Sequence, residues 1–449
     1  MKKSLLILLF TCWALFFAAF RPVMPFAAET AAFPDGTPVT GGRILMGTIG
    51  EPSNLIPYMA SDSASGEITG LLYVAPLKYD KDLNVVPWAA ASYEVLEGGR
   101  LLRFVLRDDI RWEDGVPLTA DDVEFTYKLM IDPKTPTAYS GDFLAIESFK
   151  KTGRLSFEVR YAKPFARSLM TWMGAILPKH VLEGQDIMTT PVARKPIGAG
   201  PYRLAKWDAG SMLTLTASDT YFEGRPNLDE VVYRIIPDPS TMFLELKAGK
   251  LDMMSLSPQQ YLRQTQGPQW ERDWRKYRYL SFSYTFLGFN LEHPFFKDVR
   301  VRRAISMAID RQSLIDGVLL GQGVPTVGPY KPGTWAYNDK LTPVRQDVDE
   351  ARRLLDEAGW KKNKDGLLER DGKPFLFTIL VNQGNDSRIK AAIIIQSQLK
   401  ALGIAVHIRT VEWAAFIKEF VNKGHFDAII LAWTITLDPD IYDVWHSSR

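Results

Sequence analysis

The sequence predicts a mixed α/β protein with more than one domain. Three observations carry that expectation. Strand-like and helix-like stretches alternate along the chain, the pattern of α/β architecture. The 449 residues are 46% apolar and 24% charged, too apolar for disorder and ample for packed cores. At about 100–200 residues per domain, that length suits two or three domains. No fixed-period repeat or low-complexity tract points to a solenoid instead.

Taken in chain order, residues 1–28 read as a secretory signal. Lys2 and Lys3 form a positive start, and Leu5 to Phe20 is an apolar run broken only by Thr11 and Cys12. Ala27 and Ala28 supply small residues for cleavage, although Phe26 stands where a small residue is preferred. The run is shorter than the roughly 20 residues needed to span a bilayer. An exported chain, periplasmic if bacterial, is the expectation, and an uncleaved anchor is the lesser alternative.

Leu101–Leu106 (LLRFVL) predicts a short strand. A turn follows at Glu113-Asp114-Gly115. Thr119 then caps a helix, with Asp122 three residues on and near the positive helix end. Val123, Tyr127 and Met130 fall on one face of it. A second helix follows Asp298, with Val301, Ala304, Ile305, Ala308 and Ile309 at helical spacing. Arg300, Arg302 and Arg303 beside them predict a solvated or internally paired face. A third helix runs from Val348 to Ala358, with Gly359 as a left-handed stop and Trp360 covering the last turn. A fourth runs from Ser387 to Leu402, stopped by Gly403 and followed by a strand at Ile404–Arg409. Phe426 to Trp433 (FDAIILAW) reads as a buried strand.

Charge and motifs exclude several function classes. The chain carries 54 basic and 52 acidic residues, a formal charge of +2. Setting aside Lys2, Lys3 and Arg21 of the leader leaves 51 basic residues against 52 acidic ones, a balance of −1. That balance makes no electrostatic case for nucleic acid or an anionic membrane. The single cysteine, Cys12, lies in the leader, so the mature chain has no disulfide and no thiol nucleophile. His180, His293, His407, His425 and His446 are scattered without metal-ligand spacing. No nucleophile elbow or P-loop occurs, and Pro201 and Arg203 break the dinucleotide pattern begun at Gly198. Asp108-Asp109 and Asp121-Asp122 read as turn and cap residues rather than a glycosidase acid pair. No enzyme, metal site or cofactor is expected. A secreted hydrolase with noncontiguous carboxylates is the alternative from another class.

Five ordered segments together carry a resemblance. They are Ala91 to Lys128 with its D-G-x-P-x-T-A-D-D-V turn, Gly198-Ala199-Gly200-Pro201-Tyr202, Phe289-Asn290 with Phe296 to Leu314, Ala351 to Trp360, and Trp433 with Asp438-Pro439-Asp440. The chain resembles the family 5 extracellular solute-binding proteins, the peptide- and nickel-binding class of ABC importers, over roughly residues 40–449. The resemblance implies a type II periplasmic-binding-protein fold: two α/β lobes, with an extra subdomain on the larger one. Residues 1–28 would be the signal peptide, 29–277 the larger lobe with its inserted subdomain, and 278–449 the second lobe. Family members continue past the D-P-D segment, so the second lobe is expected to be truncated here.

The implied activity is capture of peptides or peptide-sized solutes between the lobes by hinge closure, and delivery to permease subunits in the inner membrane. A monomer is expected. The resemblance carries ligand contacts onto Ser61 and Asp62 in the loop Ala60–Ser63, onto Tyr139, and onto Trp413 and Trp433 as pocket walls. Two charge clamps of dipeptide binders are missing. Thr434, Ile435 and Thr436 stand where an aspartate would meet the ligand's amino group, and Asp438 belongs to the D-P-D turn. Asn382 and Gln383 stand where an arginine would meet the carboxylate, while Arg388 falls on the following helix. Asn382, Gln383 and Asp438 complete the candidate set as neutral or turn-borne contacts. A nickel chelate, opine or oligosaccharide remains an alternative cargo, and presentation to a membrane receptor an alternative destination.

Overall fold

A computed structural model describes residues 38–435 and 437–446, so the leader expected at 1–28 lies outside the described residues. Contacts divide the chain into two units, one holding Gln266–Ser281 and the other residues 38–265 and 282–446. In the first, the helix Pro268–Asp273 sets the rings of Trp270 and Trp274 5.8 Å apart. Everything below concerns the second.

That unit has two large apolar cores. One draws on residues between Leu55 and Tyr233, the other on residues between Phe296 and Ile430. The first core is served by two four-stranded sheets. In one, Arg43–Thr48 runs parallel to Glu230–Ile235, which continues antiparallel to Met212–Ala217 and Tyr202–Asp208. The other is antiparallel throughout, in the order Ala90–Leu96, Leu101–Leu106, Ser156–Tyr161, Ile146–Lys151. Leu101–Leu106 is the strand expected from LLRFVL. Its Leu102, Phe104 and Leu106 point into the core, and Phe104 stacks on Phe157 at 4.8 Å.

The second core lies under one mixed sheet. Leu376–Asn382 is parallel to Ala405–Val411 on one side and to Ala428–Thr434 on the other, and Ser283–Phe289 closes the edge antiparallel. Phe377, Ile379, Leu380, Val381 and Asn382 are all buried, as a central parallel strand requires. The helix Asp386–Leu402 covers this sheet with Ala392, Ile395, Leu399 and Leu402. Gly403 stops it in the left-handed region at φ +93°. The helix Val348–Glu357 is capped by Asp347 and followed by Gly359 at φ +88°. Trp360 then packs fully buried on Phe375, with ring centroids 4.3 Å apart.

One expectation shifts slightly. The strand expected from Phe426 starts at Ala428, because Phe426 and Asp427 turn their carbonyls to Asn290. Asn290 donates from Nδ2 to Phe426 O and Gly424 O, both at 3.0 Å, and from its backbone N–H to Asp427 O at 2.9 Å. The arginines after Asp298 form the solvated and internally paired face expected of them: Arg300 pairs with Asp298 and reaches Glu357 O, both at 2.6 Å, Arg302 reaches Phe296 O at 2.6 Å, and Arg303 is exposed.

Parallel pairing sets the functional geometry. Parallel strands end together, so their carboxyl ends share one edge, where open α/β sheets hold ligands. Here the edges of two sheets meet. The carboxyl ends at Ile49-Gly50 and at Ile236–Asp238 face those at Gln383–Asn385 and at Glu412-Trp413. Two glycines record the closeness: a Cβ on Gly384 would stand 2.4 Å from Pro237 O, and one on Gly50 would stand 2.6 Å from Trp413 Cβ.

Candidate functional site

The site is built outward from a helix cap. Thr119 and Asp122 form a reciprocal capping box on the helix Ala120–Ile131. Asp122 is buried and also accepts the Lys179 N–H at 3.0 Å. Burial raises its carboxyl pKa against the pull of those N–H groups. The preceding turn reaches the G-A-G-P-Y segment, where the Glu113 N–H donates to Gly198 O at 2.9 Å. That segment in turn closes the helix Ser63–Leu72, because the Gly200 N–H donates to Leu72 O at 2.8 Å. Helix ends leave carbonyls without intrahelical partners, and this bond satisfies one. Glycine is needed for the approach: a Cβ on Gly198 would sit 2.0 Å from Leu72 O.

The other end of Ser63–Leu72 carries Asp62 as N-cap. Its carboxylate is buried and well supplied with donors. Oδ1 accepts from the Ser65 N–H at 2.9 Å and from the Trp413 indole Nε1 at 3.2 Å. Oδ2 accepts from the Ser65 hydroxyl at 2.7 Å and from the Ser53 hydroxyl. Asp62 belongs to the first core's side and Trp413 to the second's, so this bond joins them directly. Ser61, next to Asp62, is exposed. Tyr139 completes the group, its hydroxyl donating to Ala60 O at 3.2 Å and its ring meeting Tyr58 edge-on at 6.2 Å. The residue is 44% exposed. Burial of the hydroxyl, with the Asp62 charge nearby, raises the phenol pKa.

The second group lies at the end of the strand Leu376–Asn382. Asn382 is buried, and its Oδ1 accepts from Arg388 Nη1 at 2.7 Å. The Gln383 side chain is exposed, while its N–H donates to Val411 O at 2.7 Å. Gly384 then touches Ile49 and Pro237, placing this loop beside the Trp413 contact at Gly50. Trp433 stands on the neighbouring strand, with its ring parallel to Phe286 at 6.2 Å. Asp438 orders its own turn by accepting the Asp440 N–H at 2.9 Å. Pro439 O accepts from Tyr330 at 2.9 Å, and Asp440 O accepts from Arg167 at 3.0 Å. Arg167 comes from the first core's side and also pairs with Asp142 at 2.9 Å.

The structure therefore gathers Ser61, Asp62, Tyr139 and Trp413, sets Asn382 and Gln383 beside them across Ile49-Gly50, and puts Trp433 and Asp438 on the next strand and turn. Sequence reasoning missed Gly50, Gly384, Arg167 and the return of Arg388 to Asn382. The glycines at strand ends were the available signal. Among the described residues, no group of three or more His, Cys, Asp or Glu converges as a metal site. No helix among them is long and apolar enough to cross a membrane.

Comparison with known proteins fits this geometry. The family model for bacterial extracellular solute-binding proteins, family 5 middle, matches residues 84–448. The oligopeptide-binding protein AppA of Bacillus subtilis is 34% identical over 424 residues, covering 92% of this chain and 77% of AppA. The solved structure of AppA in complex with a nonapeptide superposes with a TM-score of 0.85, covering 92% of this chain and 83% of that one. NikZ from Campylobacter jejuni, in complex with Ni(L-His), is 27% identical with a TM-score of 0.75, covering 88% of this chain and 78% of NikZ. The chain belongs to the family 5 extracellular solute-binding proteins, and its fold is their two-lobe type II α/β fold.

Proposed function

We propose that the chain captures short peptides between its two lobes and delivers them to an ABC permease. The observation that carries this reading is the meeting of two parallel-strand edges around Ile49-Gly50, with Tyr139 and Trp413 as aromatic walls. Flat aromatic walls bury apolar side chains without demanding one shape. Backbone groups of the Ala60–Ser63 loop and the side chains of Asn382 and Gln383 offer hydrogen bonds to a peptide backbone. Asp62 acts by fixing that loop and Trp413, since its lone pairs are already engaged. Trp433 lines the side of the cleft, and Asp438 holds its turn. AppA, a similar protein seen with a nonapeptide, supports a peptide cargo.

The protein works by binding, without catalysis, and as a monomer. Residues 1–28 direct it to the periplasm and are removed. The lobes divide near residue 277, in keeping with cores drawn from residues 55–233 and 296–430. A metal chelate is the second reading, favoured by the similarity to NikZ with Ni(L-His).

Denaturing mass spectrometry of gently purified chain tests the choice. A ladder of mixed short peptides is expected among the released solutes. One defined non-peptide, with no peptides, overturns the reading.

A further inference from the structure

We propose that Arg167 is a closure latch: held in place by Asp142, its guanidinium grips the D-P-D turn at Asp440 O in the closed form and sets how long that form lasts. Such a latch acts whatever cargo the cleft holds, so it goes beyond peptide capture.

On the second core's side, Ala405–Val411, Leu376–Asn382 and Ala428–Thr434 lie side by side and parallel, in that order. Their carboxyl ends form one edge toward the first core's side. Trp413 follows the first of these strands and bonds to Asp62. The D-P-D turn follows the third, and Asp440 O accepts from Arg167 Nη1 at 3.0 Å. With neighbouring strands about 4.8 Å apart, the two outer strands stand roughly 10 Å from each other. Asn382 and Gln383, at the end of the middle strand, therefore lie between two bridges. Arg167 supplies the one that the Asp62 contact leaves to the other flank.

Both partners are fixed within their own lobes. Arg167 Nη2 pairs with Asp142 at 2.9 Å, and the two side chains are only 18% and 17% exposed. Asp142 lies on the helix Ser140–Leu144, which begins beside Tyr139. A guanidinium is a rigid fork that can serve two oxygens at once, so the ion pair leaves Nη1 aimed at the turn. Across the cleft, Asp438 accepts the Asp440 N–H and Asp440 accepts the Tyr442 N–H, both at 2.9 Å, while Tyr330 holds Pro439 O at 2.9 Å. A bond between two ordered groups keeps more of its value, because little freedom is left to lose. Tyr79 stands at the same contact. Its hydroxyl donates at 2.8 Å to Met170, on the helix Ser168–Thr171 that Arg167 precedes. Its phenol pKa is raised by burial and then by the Asp438 charge from the other lobe. Opening the lobes leaves the Arg167–Asp142 pair intact and breaks the bond to Asp440 O. That bond therefore favours the closed state alone.

The latch joins a side-chain donor to a carbonyl and engages no backbone N–H, so lobe distance reports it better than amide exchange. Cys12 is the chain's single cysteine. In a full chain carrying Cys12→Ser, Lys134→Cys and Lys364→Cys place dyes at exposed positions on the two lobes. Single-molecule energy transfer then records closed dwells, without additive and with a pool of short synthetic peptides. Arg167→Met combined with Asp142→Asn removes both charges and leaves neither buried without its partner. Arg167→Lys keeps a cation beside Asp142 and gives up the fork. The double variant should shorten closed dwells about tenfold with and without peptides, the size expected of one bond from a charged donor. Arg167→Lys should shorten them in the same way by a smaller factor.

Circular dichroism shows which variants fold, and either one that folds is a sufficient test. A purely structural Arg167 would lower the melting temperature and leave the closed dwells unchanged, which overturns the latch. An Arg167 that met the cargo instead would shorten only the dwells of the peptide-bound chain, by factors that differ from peptide to peptide, and this also overturns it. A single distance in the parent chain under all conditions overturns it too, since there would be no closing motion to latch. The two readings fail separately. Peptides that lengthen closed dwells equally in parent and variants leave peptide capture standing without the latch. Peptides that lengthen none, while the variants still shorten the spontaneous closed dwells, leave the latch standing without peptide capture.

Discussion

At the scale of single residues, the site turns on one hydrogen bond between lobes, from the Trp413 indole to Asp62 at 3.2 Å. A bond to a charged acceptor contributes about 1.5–3 kcal/mol. It exists only when the lobes are together, so it favours the closed state with or without cargo. Trp413→Phe keeps the aromatic wall and deletes the N–H. Cargo affinity should fall about tenfold in isothermal titration, and Asp62→Asn combined with it should show non-additive loss in a double-mutant cycle. Unchanged affinity in Trp413→Phe would refute the role of this bond. Gly50→Ala tests the same contact by volume. Its new Cβ would stand 2.6 Å from Trp413 Cβ. Overpacking of about 1–3 kcal/mol should weaken cargo binding and leave the melting of the unliganded chain nearly unchanged.

These residues were unequally legible. Tyr139, Asp62 and Trp413 lie outside the segments that carry the family resemblance, and could be singled out only by matching the chain to that family residue by residue. The bond joining two of them could not, since it spans 351 positions and depends on how two sheets meet. Arg388 was hidden for a different reason. Helical spacing says which face a residue occupies, not that a long side chain will turn back to the preceding strand.

At the scale of elements, the family segments act as a relay of caps. The capping box at Thr119 and Asp122 fixes the helix Ala120–Ile131, the turn before it holds Gly198, and Gly200 closes the helix that presents Asp62. Thr119→Ala should cost about 1 kcal/mol in chemical denaturation. Gly198→Ala should cost about 3 kcal/mol or prevent folding, because its Cβ would collide with the Leu72 carbonyl at 2.0 Å. A Gly198→Ala chain of unaltered stability would contradict the relay.

The same turn adds a pH signature. Burial raises the Glu113 carboxyl to about 7, against the smaller opposing pull of Arg203. The folded chain keeps this proton up to about pH 7, whereas an unfolded glutamate loses it near its ordinary value of 4.5. The associated stability is complete below the unfolded value and is lost as pH rises through 7. Thermal melting should therefore fall between pH 5.5 and 8, and Glu113→Gln should flatten that change. An identical slope in the variant would exclude Glu113 as its source. Elements were the most legible level. Leu101–Leu106 and the stops at Gly359 and Gly403 follow from local chemistry alone. The late start of Ala428–Thr434 does not, because the Asn290 side chain, 136 positions away from Phe426, captures the carbonyl that would have begun the strand.

At the scale of the molecule, two cores present the carboxyl edges of their parallel strands to each other, and the bonds across that edge belong to the closed form. Alternation of strands and helices was enough to name α/β, but not to say which edges meet. Sheet order is a long-range property, and the pairing of Arg43–Thr48 with Glu230–Ile235 has no local signature. Closure requires only that cargo bind the closed state better than the open one. Hydrogen exchange of the full chain, with and without a mixed peptide pool, tests the central claim most directly. The account predicts slowed exchange confined to three stretches: Ile49 to Ser63, Asn382 to Arg388, and Glu412 to Ala415. Peptide binding with protection elsewhere, and none in those stretches, would contradict it.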